Sequence, residues 1–277
     1  MSTPATPRGP AARGDVVEPE HAGRLVAWIA TIAAGGDPRG AASAVESGTS
    51  GHVVAGLGGT SSELPLLDAL DAIRRMRLRR VTLVLPCPGD PLGLRDNSEF
   101  ARTTILAGAG VAIDVGHDAF GLVPEHDRRG SSYAGIRWRA HPGGAETPPL
   151  TVDPDRLVEQ ADRALRRALR AATEILAGVD LAHWRAEATA GRHEVDLAMR
   201  AHRRAFPPDW PAPARELGNR ALALAGVLRV AASDPGAMSA SGSLTRAQTL
   251  RDLSRAVREA LTTAYNVPAA ALLDRTR

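Results

Sequence analysis

The chain has 277 residues, 44% of them hydrophobic and 23% charged, and its 34 basic residues against 31 acidic ones leave a net charge of +3. That is ordinary usage for a globular protein long enough for one large core or two smaller ones. All 34 basic residues are arginine, so a lysine Schiff base and a Walker A phosphate loop, which needs its lysine, are excluded.

Aromatic residues make up only 3%, so the core must be built from Leu, Val, Ile and Ala. The single cysteine, Cys87, rules out an intrachain disulfide and any two-cysteine metal or redox motif. It fits a reducing, cytoplasmic setting. The small net charge makes the basic composition weak evidence for a nucleic-acid partner. Met1 to Glu18, rich in Pro, Gly, Ala and Arg, reads as a disordered tail. Leu25 to Ala34 is apolar, but at ten residues it is too short to cross a bilayer. Asp15, Glu18 and Glu20 stand where a signal peptide carries positive charge, so no secretion and no membrane segment are expected.

Leu25, Trp28, Ile29 and Ile32 are spaced for one face of a helix over Glu20 to Ala34, which Gly35-Gly36-Asp37-Pro38 stops. Gly40 to Gly51 reads as a small-residue connector. His52 to Leu57 is a Val-rich run bounded by Gly, hence a buried strand, and Leu64 to Met76 a helix with Leu67, Leu70 and Ile73 inward. Val81 to Leu85 and Val111 to Val115 read as two more strands, with a short helix from Ser98 to Ala107 between them. Strands alternating with helices imply a parallel sheet; a mixed sheet is the alternative. Ile136, Trp138 and Ala140 alternate with Arg137, Arg139 and His141, which suggests an edge strand with one wet face.

Pro148-Pro149 marks a boundary, giving an α/β domain over 19–150 and a helical region over 151–277. Asp153 caps and Pro154 starts a helix that runs to Gly178. Asp180 to Arg204, Ala214 to Ala232 and Thr245 to Tyr265 follow as amphipathic helices, the last with Leu250, Leu253, Val257 and Leu261 on one side.

Three loops lie at predicted C-terminal strand ends, where open α/β sheets bind ligands. Gly56-Leu57-Gly58-Gly59-Thr60-Ser61-Ser62 follows a predicted strand and opens a predicted helix. Gly58, Gly59, Thr60, Ser61 and Ser62 are therefore candidates to hold an anion on backbone N–H groups. The simpler reading is a tight turn with Thr60 and Glu63 as a capping box. Pro86 to Asp96 carries three prolines that stiffen it, making Asp90 and Arg95 candidate ligand contacts; Cys87 is a weaker candidate nucleophile. Asp114 and His117 close the third strand and are candidate acid–base groups, with Asp118, Glu125 and His126 nearby. The plain alternative for each is an ordinary solvated or packed loop.

No cofactor is indicated and no metal site is expected. His183, His193 and His202 have no metal-ligand spacing. The cluster Arg74, Arg75, Arg77, Arg79 and Arg80 reads as cations at a helix C-terminus, and Arg163, Arg166, Arg167 and Arg170 as the wet side of another helix.

The run from Val81 through Leu94, with Gly121-Leu122-Val123-Pro124-Glu125 and the Trp138 strand, resembles Ala/Arg-rich proteins of actinobacteria. That resemblance spans much of the chain, implies a cytosolic bacterial protein and carries no assigned reaction. The residues themselves point first to a small anionic ligand held at the strand ends. An enzyme using Asp and His at that edge is the second reading, and arginine-mediated nucleic-acid binding the third.

Overall fold

A computed structural model describes residues 17, 19–94, 98–116, 118–128, 133–145, 151–179, 206–233 and 240–276. The expectations for 1–16, Arg95, Asp96, His117, Pro148-Pro149 and Asp180 to Arg204, including His183, His193 and His202, lie outside the described residues. Val17 does not; it is buried in the core.

Helix α1 (Pro19–Ala33) is buried nearly all round, with Leu25, Val26, Ile29 and Ile32 inaccessible. A helix wetted on no side belongs to the middle of a core. Its two buried charges, Glu20 and Arg24, therefore pair with each other, and Arg24 also donates to the carbonyls of Ala44 and Ser47. The expected connector after α1 is in part a helix, α2 (Pro38–Val45). Asp37 accepts from the N–H groups of Arg39 and Gly40, and Pro38 occupies the first turn. The tetrapeptide that reads as a stop is thus also a start.

The sheet has six strands: β1 (His52–Ala55), β2 (Glu63–Pro65), β3 (Arg80–Val84), β4 (Gly110–Asp114), β5 (Ala119–Asp127) and β6 (Gly135–Pro142). Their order is β2-β1-β6-β5-β4-β3. Only β1 and β6 run parallel; the other four pairs are antiparallel. The sheet is thus the mixed one that the sequence leaves open beside an all-parallel arrangement. Helices α3 (Leu66–Arg75) and α4 (Glu99–Ala107) account for the difference. Leu85 leaves β3 at one rim, but Ser98, the N-cap of α4, lies at the opposite rim beside Gly143, just past the end of β6. The chain has already returned before α4 begins, so β4 enters antiparallel to β3.

Strand β5 escapes a reading by alternation because Gly121 and Pro124 interrupt it. Gly121 lets the Phe100 ring lie against the sheet; a Cβ there would stand 2.1 Å from the ring. Pro124 is tolerated because β4 pairs with β5 only as far as Leu122, so no ladder bond is lost on that side. Strand β6 is interior, between β1 and β5, which corrects the edge assignment. Its alternation reports a wet face instead. Ile136 and Trp138 face the helices, while Arg137 bonds Glu63 and Asp127, and Arg139 bonds Glu125, on the other side.

The helical half is α5 (Pro154–Val179), α6 (Ala212–Ser233) and α7 (Ala240–Arg275). Helix α7, about 54 Å long at 1.5 Å per residue, packs on α1, α5, α6 and β3. One apolar core runs through α1, the sheet and these helices. A smaller one, with Val84, Phe100 and Val123, lies under α4. No helix among the described residues is long and apolar enough to cross a membrane.

Candidate functional site

The end of β3 is built by a two-residue turn. Cys87 and Asp90 exchange backbone hydrogen bonds, 2.9 Å each way, around Pro88-Gly89, and Gly89 has φ +84°. Proline followed by a residue with positive φ is the type II pattern, so Pro-Gly fixes this reversal in the sequence. The turn delivers Asp90 to α7. There Arg258 donates to Asp90 Oδ2 at 2.8 Å and to the Leu85 carbonyl at 2.9 Å, while Arg255 Nε lies 3.7 Å from the same oxygen. Arg255 also donates to Glu259 at 3.0 Å; that bond, and then the Asp90 charge, push its pKa up.

Beyond this contact α7 overhangs the rim of the sheet. Between the Cys87–Asp90 turn, the end of α6 and the first half of α7 lies a cavity of about 830 Å³. Its polar wall is Arg246, Arg251, Arg255 and Arg258, with Asp90 and Asp252; its apolar wall includes Leu228, Ala231, Ala247 and Leu250. Among the described residues, four cations against two carboxylates leave the lining positive. Arg251 and Arg255 are exposed, Arg246 and Arg258 half-buried. Arg246 donates to the Ala231 carbonyl and Arg251 to the Gln248 side chain. The volume falls within the range of small-molecule pockets, roughly 300–1,000 Å³.

Of the residues singled out from sequence, Cys87 and Asp90 line this cavity. Asp90 is mainly a tether for Arg258 and Arg255. The glycine loop is elsewhere. Strand directions put it, with the Asp114 turn, at the rim opposite Cys87–Asp90, and β6 and β5 stand between the β1 and β4 ends. The three loops do not share one edge, so Asp90 and Asp114 cannot act on one substrate.

Nor does the glycine loop open a helix. Gly58 and Gly59 belong to a 3₁₀ turn, Leu57–Gly59, followed by β2, and α3 starts only at Leu66. Thr60 donates to the Leu57 carbonyl, Ser62 donates to Thr60, and Glu63 pairs with Arg137 instead of closing a capping box. Ser61 is exposed beside them. Asp114 braces the β4–β5 turn by accepting from Gly116 N–H at 2.6 Å. Arg95 and His117 are outside the described residues. Among those described, no group of three His, Cys, Asp or Glu side chains is arranged to hold a metal.

The arginines of α7 have a visible sequence signal, the i, i+4, i+7 spacing of Arg251, Arg255 and Arg258, but such a stripe reads as a wet helix face. What sequence does not supply is the turn that docks against it.

Residues 22–154 match the model of the Rv1486c-like protein, N-terminal domain, and residues 159–262 that of the Rv1486c-like protein, C-terminal domain. Uncharacterized protein MAV321 of Mycobacterium avium is 30% identical over 161 residues, 53% of this chain and 51% of that protein. Uncharacterized protein ML1804 of Mycobacterium leprae is also 30% identical, over 51% of each. The chain thus spans about half the length of these two relatives. With Uncharacterized protein Rv1486c of Mycobacterium tuberculosis the identity is 30% over 223 residues, 72% of this chain and 69% of that protein. No solved structure matches the chain. Both halves and this last relative agree: the chain belongs to the Rv1486c-like protein family.

Proposed function

We propose that the chain binds a small organic anion at the end of β3, in the cavity between the Cys87–Asp90 turn and α7. The observation that carries this reading is the gathering of Arg246, Arg251, Arg255 and Arg258 from one helix onto a single cavity. Guanidinium groups present forked donors that match carboxylate and phosphate geometry. A partly enclosed site raises their attraction above what the same charges have in open water. Asp90 partly neutralises Arg255 and Arg258, while Arg251, which donates to the neutral Gln248 amide, adds its charge to the same wall.

A nucleic acid is a poorer fit. Its backbone needs cations spread along a surface, and several arginines outside the cavity are already paired: Arg74 with Asp71, Arg163 with Glu159 and Arg166 with Asp162. The reading takes the protein to work in the cytoplasm, in keeping with one free thiol at Cys87.

Thermal unfolding against a panel of carboxylates, phosphate esters and nucleotides tests it. A ligand at about 100 times its Kd stabilises by about 2.7 kcal/mol. The expected result is a shift with at least one organic anion that disappears in Arg251→Gln/Arg255→Gln. A shift equal in wild type and variant, or none with any anion, removes the reading.

A further inference from the structure

The cavity wall on α7 is laid out in stripes. Ser243, Ala247, Leu250 and Ser254 follow one another at helical spacing, and Arg251, Arg255 and Arg258 form a neighbouring stripe at the same spacing. Arg246 stands on the other side of the small-residue stripe, about 100° per residue placing it roughly opposite Arg255. The residues α6 contributes to the lining, Leu228 and Ala231, are both apolar. Cys87 and Pro88 line the end beside Gly89 and Asp90.

A pocket for a compact polyanion such as a free phosphate or a tricarboxylate would ring its ligand with donors. Here the donors border a floor whose middle, Ala247 and Leu250, is apolar, with Ser243 and Ser254 at its ends, and at about 830 Å³ the cavity is far larger than an inorganic anion requires. No aromatic ring is among the described residues that line it, so those residues offer a nucleobase nothing to stack on. We infer that the ligand is a monomeric amphiphile, an anionic phosphate or carboxylate head on a hydrocarbon chain. The head meets Arg251 and Arg255 and the chain lies along Ala247 and Leu250 against Leu228 and Ala231. The inference rests on the anion-binding reading and adds the hydrocarbon part to it.

Titration calorimetry on the full chain, with ethyl and decyl phosphate below the micelle concentration, tests the inference. The head group is constant and only the chain varies. Each fully buried methylene gives about fourfold in affinity, so decyl phosphate is expected to bind at least tenfold tighter than ethyl phosphate. Arg251→Gln/Arg255→Gln should weaken decyl phosphate at least tenfold. Leu250→Ala should shrink the difference between the two esters. If Leu250→Ala does not fold, a C2 to C10 series on the wild type reads the same dependence.

Equal affinity for the two esters, or tighter binding of citrate than of decyl phosphate, overturns the amphiphile and leaves the anion reading standing. Binding of decyltrimethylammonium as tight as decyl phosphate overturns both, whereas binding of none of these probes overturns the amphiphile. Capture on phosphatidylglycerol vesicles without binding of monomeric decyl phosphate assigns the surface to a membrane and also overturns the inference.

Discussion

Asn266 of α7 pairs through its side-chain amide with both backbone groups of Leu83. The amide oxygen accepts from Leu83 N–H at 2.7 Å, and the amide nitrogen donates to the Leu83 carbonyl at 2.9 Å. Strand β3 lies at the edge of the sheet, and an uncovered edge is a template for pairing with another chain. Here α7 closes it at three levels: Asp274 near Arg80, Asn266 at Leu83 and Arg258 at Leu85. The same alignment sets the cavity, since it fixes where α7 passes the rim.

Replacing Asn266 therefore tests edge sealing. Asn266→Ala leaves two backbone groups of Leu83 without a partner, and a loss of about 1–3 kcal/mol is expected. Asn266→Asp should also destabilise, because it keeps the acceptor for Leu83 N–H and sets a carboxylate oxygen against the Leu83 carbonyl. Chemical denaturation measures both. Faster aggregation of Asn266→Ala at matched fraction unfolded would come from the opened edge itself.

A second prediction concerns Pro268. A proline inside a helix cannot donate to the carbonyl four residues back, which frees that of Ala264. Trp210 Nε1 donates to that carbonyl at 3.1 Å, from a site where both residues are buried. Trp210→Phe should cost about 1–3 kcal/mol, since the carbonyl is then left unpaired. Pro268→Ala restores a donor to the helix, so the double variant should lose less than the two single losses combined. Strict additivity in that cycle would mean the two residues are not coupled.

A third prediction is a pH dependence. His52, the first residue of β1, is buried, and its Nδ1 accepts from Trp138 Nε1 at 3.2 Å. Burial first, then the nearby His21 and Arg24, push its pKa down from 6.5 to about 3. The neutral form is the folded one, so the unfolded chain takes up the proton first as pH falls below 6.5. Stability is fully present above that value and is lost between pH 6.5 and 3, at up to about 1.4 kcal/mol per pH unit from this group. Unfolding free energies measured from pH 7 to 4 should show this slope, and His52→Gln should flatten it. An unchanged slope in that variant would put the acid sensitivity elsewhere.

Much of this architecture is legible in the sequence. The helical second half follows from the apolar spacing of Leu253, Val257 and Leu261, and strands β1, β3 and β4 from short Val-rich runs. The sheet's direction is not legible, because whether β4 enters parallel or antiparallel depends on where the chain after Leu85 travels before Ser98. Strand β5 is hidden by Gly121 and Pro124, two residues tolerated for reasons of packing on Phe100 and of a missing neighbour. Among the candidate loops, the one after β3 reads only as stiffened by proline, and the structure adds the Pro88-Gly89 reversal within it. The glycine loop misleads, since β2 intervenes before α3. The cavity itself joins residues more than 150 positions apart, Asp90 with Arg258, and no local pattern connects them.

The central claim is that positive potential gathers on the wall of the cavity, and Cys87, the one thiol in the chain, reports on it from within. Alkylation rates with iodoacetate, an anion, and iodoacetamide, its neutral analogue, can be compared with those of free cysteine in the same buffer. The account predicts that the iodoacetate-to-iodoacetamide ratio at Cys87 exceeds that of free cysteine at low salt, falls as salt is added and falls again in Arg251→Gln/Arg255→Gln. A ratio at or below that of free cysteine, unmoved by salt and by the variant, would contradict it.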